Sequence, residues 1–271
     1  ITLNSTQFNA ARALGPAIGG LILGLAGPGW ALTGVVFFYG PMLVSLLLME
    51  SDSLKNSQEE NFKVGRDRPA VISDYRESVR YVRNSPGISA AILTIAIIST
   101  FGFPVVQQII VFSEEVFEVS PFFFGLLGSA QGIGAVLVVP VVTGYVSFMK
   151  PSVQQLIATV GYGLAVILFA VAPSYLVAFC ALAVLGIMHL ISASNLNSVV
   201  QLQVDEEMRG RVMAIYLVGV LGPAPFAGLV MGWLVSLFGP RPVVAISGSI
   251  LALSALLLGA FGKFRNLNAK N

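Results

Sequence analysis

The chain has 271 residues, of which 56% are hydrophobic and only 10% are charged, and its mean hydropathy is +0.85. A soluble domain carries about 25% charged residues, so this composition excludes a soluble globular domain and a disordered chain. The net charge of +2 comes from basic residues scattered through loops, which excludes a nucleic-acid-binding surface. The composition is typical of a protein that crosses the membrane several times.

Eight apolar segments are each long enough to span a bilayer, which takes about 20 helical residues. They lack the alternating pattern of barrel strands, so the sequence predicts an all-α membrane protein with eight transmembrane helices. The segments are Phe8–Ala26, Trp30–Met49, Gly87–Phe112, Pro121–Val146, Val153–Ala172, Tyr175–Ser198, Val212–Val235 and Val243–Gly262.

One long hydrophilic stretch, Glu50–Pro86, separates the first two predicted helices from the last six and holds 14 of the charged residues. Apolar residues at helical spacing over Val71–Asn84 predict an amphipathic helix on the membrane surface or against the protein. A solvated linker helix is the alternative. We therefore expect two helices in residues 1–49, a charged linker in 50–86, a six-helix bundle in 87–262 and a tail in 263–271.

The basic residues are divided unevenly between the two sides of the predicted spans. One side holds 14 of the 15, and the other holds Arg241 alone. Because Lys and Arg concentrate in cytoplasmic loops, the linker and both termini of this chain are predicted to be cytoplasmic.

An internal repeat links the first and seventh predicted helices. Leu14-Gly15-Pro16-Ala17 matches Leu221-Gly222-Pro223-Ala224, and both motifs are followed by further glycines. Both copies run in the same direction, as in transporters built from two parallel six-helix halves. The first predicted helix would then be the fifth of its half, so we expect four helices, roughly 120 residues, upstream of Ile1.

Three further stretches stand out: NSTQFNAARALGPAIGG from Asn4, YVRNSP from Tyr81 and DEEMRGRVM from Asp205. They resemble the bacterial transmembrane secretion effector branch of the major facilitator superfamily, which includes siderophore exporters of the enterobactin type and macrolide efflux proteins. The resemblance implies the last eight helices of a twelve-helix fold: two of the N-terminal bundle and six of the C-terminal one.

In function, the resemblance implies a secondary transporter of the bacterial inner membrane that exports small amphipathic molecules by alternating access. An uptake permease on the same fold is one alternative. A non-transporting, truncated membrane protein or scaffold is another.

Polar residues inside the apolar segments are candidates for a substrate cavity, with hydrogen bonding between packed helices as the alternative. His189 is the only histidine, and its ordinary pKa of about 6.5 lets it titrate near neutrality. No Asp or Glu lies inside the eight segments, so proton coupling would use His189 or a carboxylate upstream. The candidates are Gln107, Gln108, Gln131, His189 and, following His189 at three-residue steps, Ser192 and Asn195.

Charged residues beside the spans are candidates for a cytoplasmic gate. Asp205–Arg209 and Glu207–Arg211 have the i, i+4 spacing of helical ion pairs. The resemblance implies a latch there, and the alternative is that they simply begin the seventh helix. The gate candidates are Arg12, Asp205, Glu207, Arg209 and Arg211. Prolines that can kink a helix are hinge candidates: Pro104, Pro140, Pro223 and Pro225.

The sequence holds no Walker-type loop, metal-ligand cluster or Ser/His/Asp set. We therefore expect no enzyme, no ATP-driven pump, no cofactor and no metal. The expected partners are a small-molecule substrate and the lipid bilayer, with protons as a candidate coupling ion and no nucleic acid.

Overall fold

The computed structural model describes residues 2–48, 68–144 and 149–268. It describes their side chains as well, except those of residues 2–13, 38, 68–72 and 139–144. All regular structure in these residues is helical. In chain order the helices are α1 Thr2–Ala26, α2 Pro28–Leu47, α3 Arg68–Asn84, α4 Pro86–Phe101, α5 Phe103–Gln107, α6 Ile109–Val111, α7 Pro121–Gly144, α8 Pro151–Val171, α9 Tyr175–Gln203, α10 Arg209–Leu221, α11 Pro223–Phe238 and α12 Pro240–Ala260.

The prediction of an all-α membrane protein is confirmed, whereas the number of spans is confirmed in part. Seven segments of the described chain are long and apolar enough to cross a membrane: α2, α4 through Val116, α7, α8, α9, Glu206 through α11, and α12. The first predicted span forms α1, in which the apolar segment recognised among described residues is Leu14–Ala26. The eighth span therefore stays a prediction. The linker up to residue 67, residues 145–148 and the end of the tail lie outside the described residues.

Helix α3 lies where the amphipathic helix is predicted, and it packs against the protein. Ser78 and Val82 are buried, and the helix contacts α4 and α10. We call the end of the spans next to α3 the linker side, and the opposite end the far side.

Two turns on the far side have the same backbone conformation. Gly27 between α1 and α2 has φ 83° and ψ 175°, and Gly239 between α11 and α12 has φ 80° and ψ 163°. A positive φ favours glycine, and each glycine is followed by a proline at the first position of the next helix, where its ring suits the helical φ. The first copy of the sequence repeat lies in α1, and the second spans the end of α10 and the start of α11.

The span that begins with α4 is broken near its middle. Helix α4 ends at Phe101, and the short α5 begins after Gly102. The Phe101 carbonyl at the break accepts a hydrogen bond of 2.6 Å from the Ser247 hydroxyl, because carbonyls released in a membrane need a new donor. A Cβ at position 102 would lie 2.7 Å from the Tyr162 ring, so glycine lets this ring pack against the break.

The span formed by α10 and α11 is broken in the same way. Helix α10 ends one residue before Gly222, and Pro223 starts α11. The Ser99 hydroxyl donates 2.6 Å to the Val220 carbonyl beside this break. The first interruption is at Gly102, two residues before Pro104. The second is at Gly222, directly before Pro223. Pro225 lies in the first turn of α11, and Pro140 lies within α7, which continues to Gly144. The hinge roles of all four stay predictions.

Helix α1 approaches α7 at backbone distance on the far side. A Cβ at Gly20 would lie 2.6 Å from the Gly125 Cα and 2.7 Å from the Pro121 carbonyl oxygen. Small residues permit such close helix contact in membranes. This contact joins the two predicted N-terminal helices to the six that follow.

Candidate functional site

A cavity of about 320 Å³ lies between α4, α5, α9 and α10. His189, at the middle of α9, lines it together with Ala193 and Asn197. The other walls come from the second half of α4 and from Met213 to Val220 in α10. The cavity therefore occupies the middle of the spans and the part towards the linker side. We call it the His189 cavity.

Two aromatic rings hold the His189 imidazole from different helices. The Phe103 ring centroid lies 6.2 Å and the Tyr162 centroid 5.7 Å from that of His189, both in edge-to-face geometry. Phe103 is the first residue after the break in its span, and Tyr162 packs against Gly102. The break in the span thus positions both rings around the one side chain of this lining whose ordinary pKa lies near neutrality.

The remaining lining is mostly apolar and carries no charged side chain among its described residues. Its polar groups besides His189 are Ser99, Asn197 and Tyr216. The Ser99 hydroxyl donates to a carbonyl within the protein, and the Asn197 amide oxygen accepts 3.1 Å from Gln201. Apolar walls with a few polar groups are typical of sites for small organic molecules, whereas a phosphate would need Arg or Lys.

Ser192 and Asn195 do not line the His189 cavity; they are buried against α8. Gln155 donates to the Ser192 hydroxyl at 2.6 Å, and Asn195 donates to the Gln155 amide oxygen at 2.9 Å. Asn195 also donates to the Pro151 carbonyl at 3.0 Å. At 100° per residue, Asn195 lies about 120° around the helix from His189. The last two members of the predicted stripe therefore join α9 to α8, and their substrate contacts stay predictions.

Sequence reasoning missed Asn197 and Gln155. A four-residue step from His189 leads through Ala193 to Asn197, and residues at this spacing share a helix face, so the signal for Asn197 was present. Gln155 had no comparable signal, because its role depends on which face of α9 it meets.

The three glutamines lie apart from the His189 cavity. Gln107 is exposed, and its side-chain oxygen lies 2.6 Å from the position a Cβ would have at Gly228 of α11. Gln108 and Gln131 are each 6% exposed, and the Gln131 backbone packs closely on Gly186 of α9. None of the three belongs to the lining of that cavity, and their predicted substrate contacts remain untested.

Asn197→Ala and Ser192→Ala test this division of α9 into two faces. We expect Asn197→Ala to raise the KM for transported substrate, because it removes a polar group of the cavity. A lost hydrogen bond is worth about 1 kcal/mol, or roughly fivefold. Ser192→Ala should leave the KM unchanged and lower thermal stability. Transport kinetics and thermal unfolding of both variants check this, and a KM effect from Ser192→Ala alone would contradict it.

A cluster of charges joins α3 to the start of α10 on the linker side. The Arg211 guanidinium lies 3.1 Å from a carboxylate oxygen of Asp74 and 3.1 Å from one of Glu77. The Tyr81 hydroxyl donates to the Asp205 carboxylate at 2.9 Å and accepts the Asp205 backbone N–H at 3.1 Å. The cluster fixes α3 to α10. Another face of α10 lines the His189 cavity.

The predicted pairs Asp205–Arg209 and Glu207–Arg211 are not formed among the described residues. Helix α10 begins at Arg209, and Glu206–Met208 forms a tighter 3₁₀ turn before it. The acidic residues therefore lie outside the helix, and its i, i+4 geometry does not reach them. Arg211 uses acids of α3 instead. Arg12 belongs to α1, and its side chain lies outside the described residues.

Tyr81 keeps its proton over the physiological range. Partial burial, together with the negative charge of Asp205, raises the pKa of the Tyr81 hydroxyl above its ordinary value of 10. The hydroxyl therefore remains a donor to Asp205 whenever that carboxylate is ionised.

Arg211→Gln should weaken the junction between α3 and α10 in a salt-dependent way. The three side chains are 33% to 65% exposed, so we expect a loss of about 1 kcal/mol or less in the free energy of unfolding. Salt near 1 M should erase the difference from the parent protein. Arg209→Gln is the matched control, since Arg209 has no ion pair among the described residues. Equal effects of the two substitutions in thermal unfolding would contradict the assignment.

Comparison with known proteins bears on the whole chain. A family model described as transmembrane secretion effector matches residues 1–271. The enterobactin exporters EntS of Salmonella paratyphi A and Salmonella typhimurium are each 31% identical over 143 residues, or 52% of this chain. The match spans 34% of the length of these relatives. No solved structure gives a significant match. The chain belongs to the transmembrane secretion effector family of the major facilitator superfamily.

Proposed function

We propose that this protein is a secondary active transporter that moves small amphipathic molecules out of the bacterial cytoplasm by alternating access. Membership of the family points to a transporter rather than an enzyme, and the similar Salmonella proteins are named enterobactin exporters. In this proposal the linker side faces the cytoplasm, and the protein lies in the inner membrane. Lys and Arg in the linker and terminal segments support this orientation.

The observation that carries the proposal is the His189 cavity. It lies beside two interrupted spans, α4–α5 and α10–α11, and interrupted helices commonly border transport sites. Its aromatic, uncharged lining suits a cargo with aromatic or apolar surface and a few hydrogen-bonding groups. His189 can exchange such hydrogen bonds and can also take up a proton.

We infer an inward-facing conformation as part of the same proposal. On the far side, the Gly20 and Gly125 backbones meet, and this contact joins helices that the sequence assigns to different bundles. The His189 cavity extends from mid-span towards the linker side. If the far-side contact opened, the cavity would become accessible from the far side of the membrane. Alternating access requires this movement.

We infer proton coupling through His189 as part of the same proposal. The described lining contains no carboxylate, so His189 is its candidate proton carrier. Protonation would alter the charge of a cavity that otherwise holds neutral groups.

The test uses the full native chain in membrane vesicles of both orientations, with an imposed pH gradient. Two probes are followed: enterobactin, and the neutral aromatic dye N-phenyl-1-naphthylamine. Accumulation in inverted vesicles, dependent on the protein, is the result expected for export. Accumulation in right-side-out vesicles would establish uptake and overturn the proposed direction. If neither the pH gradient nor the protein changes the level of either probe in the vesicles, the proposal is wrong. The scaffold alternative then remains.

A further inference from the structure

A second concave site lies outside the His189 cavity, on the opposite face of α4. It is a crevice of about 450 Å³ between α4, α11 and α12. Thr100 and Phe101 form its base, Ala227 and Met231 line one wall, and Val243 lies on the other. We call it the lateral crevice.

The lateral crevice offers hydrocarbon contact and almost no hydrogen bonding. Its polar side chains are Thr100 and Ser247, and both hydroxyl protons are used within the protein. Thr100 donates to the Ala96 carbonyl at 2.7 Å, and Ser247 donates to the Phe101 carbonyl at 2.6 Å. A polar occupant would lose its hydration without gaining partners, so the chemistry selects an apolar chain.

The mouth of the lateral crevice is continuous with the apolar outer surface of the far-side half of the spans. Phe238 and Pro242 flank the turn between α11 and α12. Val230, Phe238 and Ile246 at the mouth are 55%, 66% and 59% exposed. No other helix of the described chain covers these side chains, so in a membrane lipid tails can reach them. The crevice extends along α11 from Ala227 to Phe238, about 16 Å at 1.5 Å per residue.

Its length fits a lipid tail. One leaflet contributes about 15 Å of hydrocarbon, close to the length of the crevice. We propose that the lateral crevice binds one acyl chain of a phospholipid from the far-side leaflet.

The bound chain would act as packing between three helices. Lipid tails are as apolar as leucine side chains, so dispersion contacts rather than the hydrophobic effect hold it there. It would fill the space beside the break between Phe101 and Gly102, whose other face borders the His189 cavity. Occupancy therefore supports α4 in the conformation described here. This inference needs the membrane location but neither the proposed cargo nor its direction.

Fluorescence quenching by phospholipids brominated in mid-chain tests the proposal in the full native chain, reconstituted in vesicles. The background carries Trp30→Phe and Trp233→Phe, and Phe101→Trp places one reporter at the base of the crevice. We expect quenching comparable with that of Trp233 alone, which is 62% exposed. Phe169→Trp is the matched control, because Phe169 is fully buried away from the crevice, and its reporter should stay unquenched.

Filling the crevice gives the decisive comparison. Ala227→Phe in the Phe101→Trp background should abolish the quenching while leaving the fold intact by circular dichroism. The proposal is wrong if the Phe101→Trp reporter is quenched no more than the Phe169→Trp reporter. It is also wrong if Ala227→Phe leaves the quenching of Phe101→Trp unchanged. Native mass spectrometry after delipidation needs no reporter: the parent should retain a phospholipid that Ala227→Phe lacks. Equal lipid retention by both would overturn it as well.

Discussion

His189→Ala is expected to abolish transport driven by a pH gradient while exchange of substrate across the membrane continues. Exchange requires a cavity that binds substrate and alternates, whereas gradient-driven transport also requires a group that carries a proton. His189 is the one side chain of the described cavity lining whose ordinary pKa lies near neutrality. Its removal therefore separates the two activities. Gradient-driven accumulation and counterflow, measured on the same vesicles, check this result.

His189→Gln is the control that distinguishes coupling from packing. Glutamine keeps a polar, hydrogen-bonding side chain but has no titrating group. If His189 carries the proton, His189→Gln should fail in gradient-driven transport just as His189→Ala does. Its exchange should also lose any pH dependence near the ordinary histidine pKa of about 6.5. Recovery of gradient-driven transport in His189→Gln would contradict the coupling role and leave His189 as a packing residue between Phe103 and Tyr162.

The membrane spans were predictable because hydropathy is a property of the segment itself. Seven of the predicted spans are found among the described residues, and the amphipathic helix before residue 84 is found as α3. Breaks lie near two of the four prolines proposed as hinges, Pro104 and Pro223, whereas α7 continues through Pro140. Proline removes a hydrogen bond wherever the helix lies, so the sequence indicates candidate positions, and packing decides where the helix breaks.

The partners of polar residues were less predictable, because they depend on which helices meet. His189 lines a cavity, yet Asn195 on the same helix binds Gln155 of α8. Arg211 has an acid four residues before it in sequence, yet it pairs with Asp74 and Glu77 of a helix more than a hundred residues upstream. Local spacing predicts such pairs only when the intervening backbone is helical, and the turn before Arg209 is not an α-helix.

Gly20→Ala is expected to weaken the far-side contact between α1 and α7. The added Cβ would lie 2.6 Å from the Gly125 Cα and 2.7 Å from the Pro121 carbonyl oxygen. Both are backbone atoms, so the helices must separate by several tenths of an ångström. Overpacking of this kind costs about 1–3 kcal/mol. If only the inward-facing state makes this contact, the ratio of outward- to inward-facing protein should rise about 5- to 150-fold.

Labelling of a cysteine in the cavity measures this shift. Ala193→Cys places a thiol in the His189 cavity, and Cys180→Ser removes the native exposed thiol. A membrane-impermeant maleimide added from the far side should label this cysteine faster when Gly20→Ala is present. Gly24→Ala is the matched control, because its Cβ would meet neighbouring atoms at ordinary distances of 3.7 Å and beyond. Gly125→Ala should reproduce Gly20→Ala, since its Cβ would overlap the Pro16 carbonyl oxygen. Equal labelling rates in Gly20→Ala and Gly24→Ala would show that the α1–α7 contact persists in both states and does not gate the cavity.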